Sequence, residues 1–270
     1  MIRSRPLAIC TLLLGTILLT GAMAGRAPRA VAQPALSWTT HIGTFTQTPQ
    51  PFEHSLYANV WAISLSGDSS VGTTCRPPCD GSMAFGFMPE DLARVIEVPG
   101  IGGSARGIND AGDVAGFYGP PGAFRGFLLQ GGTYSALDFP HAKQTRLFGI
   151  NNTGTIVGDY FTPERRAFVY TGGTFTSLEL PDVFDACSIG AAAINSDGSI
   201  VGDYQIARPR LSCGGPIHSY IRHSDGTFTA FEATADASAT VAHGINDRGD
   251  IVGHFTRSDG RLHGFLLPGN

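Results

Sequence analysis

The chain has 270 residues and a formal net charge of −4, and its basic residues form no cluster longer than the pair Arg165 and Arg166. This argues against nucleic-acid binding and against a basic membrane-surface helix, because both need a concentrated positive surface. Charged residues make up only 15% of the chain, which also holds 36 glycines and 17 prolines. That balance is typical of many short β-strands joined by tight turns.

The N-terminus has the pattern of a secretory signal peptide. A basic start is followed by the apolar run Leu7–Leu19, and small-x-small cleavage sites end at Ala24 and Ala32. We therefore predict a signal peptide within residues 1–32, cleaved at about residue 24 or 32, and a protein that is secreted or periplasmic. No later segment is apolar enough to span a bilayer, so no stable membrane insertion is expected.

The remaining part, residues 36–270, has the length of one all-β domain. Four cysteines follow the signal peptide: Cys75, Cys79, Cys187 and Cys213. An even number in an exported chain predicts disulfides, and two Cys pairs binding zinc is the alternative. We expect no cofactor and a monomeric protein.

One sequence unit recurs along this domain. Four copies read GINDAGDVAGFY, GINNTGTIVGDY, AINSDGSIVGDY and GINDRGDIVGHF, and they begin at Gly107, Gly149, Ala193 and Gly244. A fifth copy begins at Trp61 and reads WAISLSGDSSVG. Within each later copy, an Asn is followed three residues on by a Gly, which is turn chemistry between two strands. The period of roughly 42 to 51 residues is long enough for four short strands.

A third and a fourth strand follow each turn motif. The third is AFGFM, RGFLL, RAFVY, HSYIR or HGFLL, and the fourth is of the type GTFTSLELP. Five units of four antiparallel strands predict a five-bladed β-propeller. The last unit lacks a fourth strand, but the segment Thr40–Thr46 has the matching GTFT pattern and would close the ring. An open solenoid of the same repeats is the alternative.

The repeat resembles a known family. The motif GIN-x-x-G-x-IVG-x-Y, followed by HGFL and GTFT, is similar to the HAF-type extracellular repeat of secreted bacterial proteins. The resemblance covers nearly all of the chain after the signal peptide. It implies a secreted repeat protein, and it implies no defined reaction and no catalytic residues.

The strand order predicts two unlike ends. One carries the short Asn-to-Gly turns. The other, which we call the long-loop face, carries the irregular connections at residues 73–83, 118–124, 161–165, 204–217 and 255–262. Variable loops on a rigid scaffold are where ligands usually bind. Polar residues at the strand ends of this face are therefore binding candidates: Arg125, Asp159, Tyr160, Arg166, Asp203, Tyr204 and His218.

Three histidines of the last unit are candidates for a metal site. His243, His254 and His263 start or end adjacent strands of one unit and could converge on an ion. A structural role is the alternative, since His or Arg recurs before the third strand in four units, and a residue repeated in this way is more often part of the scaffold.

The sequence leaves three classes of function open. The first is a binding module for a glycan, peptide or protein. The second is a glycoside hydrolase or polysaccharide lyase, which would need carboxylates in the central funnel. The innermost strands hold no carboxylate, so loop acids would have to serve: Asp80, Glu164, Asp185 or Asp236. The third is a purely structural role. The near-symmetric repeats favour the binding module.

Overall fold

The computed structural model describes the backbone of residues 57–63, 70–75, 82–88 and 91–96, and residues 102–206 and 213–269 in full. These residues form 19 strands and one 3-10 helix, Asp182–Phe184. The prediction of an all-β protein is confirmed. Within the described part of the chain, no helix is long and apolar enough to cross a membrane.

The strands follow one another in five units. The first two units comprise β1 (Tyr57–Ile63), β2 (Ser70–Cys75), β3 (Ser82–Met88), β4 (Asp91–Ile96), β5 (Ser104–Ile108), β6 (Val114–Tyr118), β7 (Arg125–Gln130) and β8 (Thr133–Ala136). The third and fourth comprise β9 (Gln144–Ile150), β10 (Ile156–Phe161), β11 (Arg165–Thr171), β12 (Thr174–Leu178), β13 (Ala186–Ile194), β14 (Ile200–Ile206), β15 (Ile217–Arg222) and β16 (Phe228–Phe231). The last comprises β17 (Ala237–Ile245), β18 (Ile251–Arg257) and β19 (Leu262–Leu267).

Each unit is an antiparallel meander in which neighbours in sequence are neighbours in the sheet. The first strands of consecutive units lie beside one another, as β5 does with β9, β9 with β13, and β13 with β17. The fourth and fifth units also share a single parallel residue pair, Ile217 with Ala239. The units are thus arranged side by side, with their first strands together.

The short turns between first and second strands are built alike in the second to fifth units. In the third unit, Asn151 Oδ1 accepts hydrogen bonds from the backbone N–H groups of Thr153 and Thr155, and Gly154 has a φ of +77° that favours glycine. The side chain of this Asn also reaches the next unit. Its amide Nδ2 donates to the carbonyl of Asn195, at 3.0 Å.

The same bond repeats along the described chain, and we call the series the Asn ladder. It consists of the donations from Asn109 to Asn151, from Asn151 to Asn195 and from Asn195 to Asn246. Asn109, Asn151 and Asn195 are each only 2% exposed. A buried amide that is fully hydrogen-bonded stabilises the turn and joins it to its neighbour.

The core lies between consecutive units, where the second strand of one packs against the first strand of the next. The residue before the central glycine of the second strand lies at this contact between units. It is fully buried in the first four units, as Val71, Ala115, Val157 and Val201. The equivalent Val252 of the last unit is 48% exposed. Around Val252, the onward face of the last unit is therefore open among the described residues.

The described sheets do not close into a ring. The last unit has three described strands, as the sequence predicts. The segment Thr40–Thr46, predicted to supply its fourth strand, lies outside the described residues.

A disulfide joins Cys187 to Cys213, with 5.5 Å between their Cα atoms, and confirms this part of the cysteine prediction. Cys187 lies within β13 and not in a loop, so the bond ties a first strand to the segment that precedes β15. Cys79 and the side chain of Cys75 lie outside the described residues.

Candidate functional site

Each first strand contains a β-bulge at one fixed place in the repeat. The register shifts by one residue immediately before the Gly-Ile or Ala-Ile pair, so that one extra residue has no partner on the second strand. These extra residues are Trp61, Arg106, Phe148, Ala192 and His243. A bulge re-aims the side chain that it carries. We call the last four of these residues the bulge row.

The bulge row lines a cavity of about 440 Å³ among the first strands. Its wall is completed by one charged pair and by small apolar side chains: Arg165, Asp203, Ala191, Val241 and Ala242. This volume is typical of a pocket for a small ligand. The cavity therefore combines an apolar wall with a few charged groups, which is the usual composition of a binding site.

A chain of ion pairs runs behind this wall. Arg146 donates from Nε and Nη2 to the two carboxylate oxygens of Asp159, at 2.8 and 2.6 Å. Arg165 donates from Nε to Asp159 and from Nη1 and Nη2 to Asp203, at 2.6, 2.6 and 3.0 Å. Asp159 and Asp203 belong to different units, so Arg165 clamps the third unit to the fourth.

Two features of the sequence make room for this clamp. Asp159 faces Arg146 directly in the register of β9 and β10, whereas the equivalent partner of Asp203 is Gly190. A Cβ atom on Gly190 would lie 1.7 Å from Nη2 of Arg165. The glycine therefore leaves the space that the guanidinium fills.

The environment keeps Arg165 charged. Burial opposes its positive charge, but Asp203 and Asp159 outweigh that effect and raise the pKa of Arg165 above its ordinary value. The carboxylate of Asp159 is completely buried. Buried ions that satisfy each other's hydrogen bonds are stable as a set, but removing one leaves an uncompensated charge.

Arg106 of the bulge row lies among aromatic rings. Its guanidinium carbon is 5.2 Å from the ring centroid of Phe117 and 5.6 Å from that of Phe148, within the range of cation–π attraction. Burial and the positive charge of Arg146 lower the pKa of Arg106 to about 10. The side chain is still a cation at neutral pH.

His243 forms a pair with His254. The Nε2 atom of His243 is 2.7 Å from Nδ1 of His254, and the two rings stack at 4.8 Å between centroids. The ring of His243 is open to the cavity, but its partial burial in the wall and the neighbouring His254 lower its pKa. The neutral form of His243 is therefore favoured.

The third histidine predicted for a metal site does not join this pair. His263 stands opposite Phe255 in the register of β18 and β19 and stacks on its ring at 5.2 Å. His254 and Phe255 are consecutive in a strand, so their side chains point to opposite faces. Among the described residues, no three His, Cys, Asp or Glu side chains form a group that could hold a metal ion.

The predicted binding residues of the second strands fall into two groups. Asp159 and Asp203 belong to the ion chain beside the cavity, and Asp203 lines it. The two tyrosines are buried: Tyr160 stacks on Phe139, and Tyr204 packs against Phe184. Their hydrophobic surroundings explain why they are absent from the cavity wall.

The third-strand residues lie further out. Arg125 forms an ion pair with Asp138, which follows β8, and His218 pairs with Glu232, which follows β16. Arg166, on β11, stands opposite Tyr160 of β10. None of these three lines the described cavity. Arg125 and His218 instead tie the third strand of a unit to the segment that follows its fourth strand.

Sequence reasoning missed Arg106, Phe148, Ala192 and Arg165 as residues of the cavity wall. A signal for the bulge row was present, because the position before Gly-Ile or Ala-Ile changes from Trp to Arg, Phe, Ala and His while its surroundings repeat. The first strands do lack carboxylates, yet the second strand supplies Asp203 to the cavity. Arg165 could not be found from the repeat, because its position holds other residue types in the other units.

Comparison with known proteins is informative at the level of fold. No family model and no curated protein matches the chain. The putative TolB from Agrobacterium tumefaciens is similar with a TM-score of 0.53 and 10% identity, over 80% of this chain and 76% of that one. The β-propeller domain of the Trilobed protease from Pyrococcus furiosus gives 0.43 and 11%, over 80% and 82%. The Aleuria aurantia lectin gives 0.46 and 12%, over 77% and 72%.

Identities of this size establish the fold and nothing about activity. The repeated four-stranded meanders and the likeness to TolB together define an all-β protein with a β-propeller fold.

Proposed function

We propose that this protein is a secreted binding module, a closed five-bladed β-propeller whose ligand is held in the cavity among the first strands and enters from the long-loop face. The observation that carries the proposal is the bulge row: four side chains of different chemistry, at equivalent positions of the repeat, meet at one cavity of about 440 Å³. A site assembled from unlike residues on a regular scaffold is the arrangement expected of a specific binder.

Closure of the ring and export belong to the same proposal. The open face around Val252 supports closure, since the first unit is the part of the chain that would cover it. The Cys187–Cys213 disulfide supports an extracellular or periplasmic location, because such bonds persist in oxidising compartments. The likeness of the repeat to the HAF-type extracellular family agrees with that location.

A glycan-cleaving enzyme is the second candidate, and one observation favours it. Asp159 and Asp203 bind the same guanidinium and therefore lie close together beside the cavity. Hydrolysis needs one acid that is free to donate a proton. Asp159 is completely buried and bound by two arginines, and Asp203 is bound by Arg165 through both oxygens. This arrangement makes the binding function the better supported of the two.

The test is to fill the cavity. Ala192→Trp places a large ring at the bulge of β13, and Ala136→Trp makes the same change at an exposed site on β8 as the control. A panel of glycans and peptides is screened against the purified protein by thermal shift and calorimetry, with reducing-end release as the assay for turnover. We expect binding that is lost in Ala192→Trp and kept in Ala136→Trp. Polysaccharide cleavage, or binding that survives in both variants, would contradict the proposal.

A further inference from the structure

One side chain of the cavity wall is hydrogen-bonded to a second histidine behind it. His243 lines the cavity, whereas His254 is not among the described residues of the wall. Nε2 of His243 lies 2.7 Å from Nδ1 of His254 and is therefore engaged in the pair. The other ring nitrogen of His243, Nδ1, has no hydrogen-bond partner among the described residues. Nδ1 is thus the atom that this ring can offer to a ligand.

The bond between the two rings contains one proton, and the position of that proton decides what Nδ1 of His243 can do. A neutral imidazole carries a proton on one nitrogen and leaves the other bare. When Nε2 of His243 donates, its Nδ1 is bare and accepts a hydrogen bond. When Nδ1 of His254 donates, Nδ1 of His243 carries a proton and is a donor. The neutral pair can adopt either form.

Uptake of one more proton removes this choice. The pair then consists of one imidazolium, whose two nitrogens both carry protons, and one neutral ring. An imidazolium at His254 donates from Nδ1, so Nε2 of His243 accepts and Nδ1 of His243 becomes a donor only. The exclusion depends only on the two facing atoms, because two protons cannot lie between nitrogens 2.7 Å apart.

The surroundings direct the extra proton to His254. Burial, the charge of His254 itself and Arg106 oppose a charged His243, and together they outweigh the attraction of Asp203 and lower the pKa of His243. Arg165 is the other cation among the described residues of the wall. The residues opposite His254 in the register of the sheet carry no charge: Val241 and Gly264.

We propose that the pair of His243 and His254 is a proton-operated switch in the binding cavity. In the neutral pair, Nδ1 of His243 can accept a hydrogen bond from a ligand; after one proton is taken up, this atom can only donate. A ligand that donates to Nδ1 is therefore held at neutral pH and released in mild acid. The inference rests on the proposed binding function and concerns the regulation of that site.

The switch can be observed without a ligand. Long-range 1H–15N spectra of the 15N-histidine-labelled protein report which ring nitrogens carry protons, and they are recorded in the presence of EDTA from about pH 8 to about pH 5, across the ordinary titration range of histidine. We expect both nitrogens of His254 to become protonated first, while His243 stays neutral with its proton on Nδ1. A first proton on His243, or no change in its tautomer, would overturn the inference.

The variant His254→Phe keeps a ring at this position and removes the shared proton. His243 should then pass from neutral ring to imidazolium in one step, without an intermediate range in which only Nδ1 carries the proton. His223→Gln, on an exposed hairpin, is the control and should leave the two-step behaviour of the pair intact. Unfolding curves establish that each variant is folded. Unchanged behaviour of His243 in His254→Phe would show that the pair does not act as a unit.

The consequence for binding is tested with two probes of matched shape, indole, which has an N–H donor, and benzofuran, which has none. Calorimetry measures both affinities at about pH 8 and about pH 5.5. We expect the affinity of indole to fall about fivefold or more in acid, because one hydrogen bond is lost, and that of benzofuran to stay constant. His254→Phe should remove most of the difference between the probes' pH dependences. Equal pH dependence of indole and benzofuran in the parent protein would contradict the switch.

Failure of the switch and failure of the proposed function are distinguishable, since the spectra require no ligand. If ligands of the screen bind, and Ala192→Trp abolishes their binding, but the tautomer of His243 does not change with pH, only the switch is wrong. If the tautomer changes and neither the probes nor the screened ligands bind, the cavity is not a binding site and both proposals are wrong.

Discussion

Two rows of residues, one on the first strands and one directly after them, have opposite characters. The Asn ladder repeats one residue type in the four later units, whereas the bulge row, three positions earlier in the chain, holds Arg, Phe, Ala and His. Asn151 is buried and bonded both to its own turn and to the next unit. Phe148, three residues earlier on β9, borders the cavity. A position that serves two neighbouring units is held to one residue type, while a position that faces open space is available for different chemistry.

Asp159 does not fit this division, because its position holds different residue types in different units and yet Asp159 is completely buried. We expect Asp159→Ala to lower the free energy of unfolding by about 3 to 5 kcal/mol, because it leaves Arg146 and Arg165 without their shared carboxylate. Denaturant unfolding measures the loss. Asp225→Ala, at an exposed turn, is the control and should leave the midpoint unchanged. Equal midpoints for both variants would mean that the ion chain does not join the units.

The Asn ladder should be next in sensitivity. Asn151→Ala removes the bonds to Thr153 and Thr155 and the donation to Asn195, and leaves buried backbone groups unsatisfied. We expect a loss of about 2 to 3 kcal/mol in the free energy of unfolding. Ser135→Ala, at an exposed position of β8, is the control with a loss below about 0.5 kcal/mol. Similar losses for the two would show that the ladder bond contributes nothing beyond a local turn.

Positions of the bulge row should tolerate larger side chains, whereas positions in the core should not. Ala192→Leu adds its side chain to the cavity and should change the free energy of unfolding by about 0.5 kcal/mol or less, as surface substitutions usually do. Ala105→Leu inserts the same side chain into a fully buried site beside Val71 and should cost about 1 to 3 kcal/mol through overpacking. Thermal unfolding compares the two. Equal losses would place Ala192 in the packed core and end the distinction between the rows.

The smallest effect concerns pH. The pKa of His243 is lower in the folded protein than the usual value of about 6.5 in an unfolded chain, so the unfolded state binds more protons as the solution is acidified. Stability should therefore be fully present above about pH 6.5 and fall as the pH drops through the lowered pKa of His243. His243→Gln should flatten this slope of unfolding free energy against pH, and His223→Gln, on an exposed hairpin, should not. If the parent protein instead became more stable as the pH falls below about 6.5, the expected sign of the pH dependence would be wrong.

The strands and the short turns were predictable from the sequence because their causes are local. Asn109 and Gly112 make their turn from residues within one repeat, and the same holds in the later units. The clamp formed by Arg165 was not predictable, because it depends on a glycine in another unit, Gly190, that leaves space for it. The position of His263 apart from His243 and His254 has a similar origin. The sequence places the three histidines near the ends of adjacent strands. The face of the sheet on which each side chain lies depends on the register of those strands.

The Asn ladder has a direction. Every described bond runs from the side-chain amide of one unit to the backbone carbonyl of the following unit, so that each unit offers its successor a different surface from the one it offers its predecessor. Such head-to-tail contacts set no limit on the number of copies; only the rotation between copies decides whether the series returns to its start. Among the described residues, Asn246 donates to Asp250 of its own turn, and in the sequence Ser64 takes the place of the asparagine in the first unit.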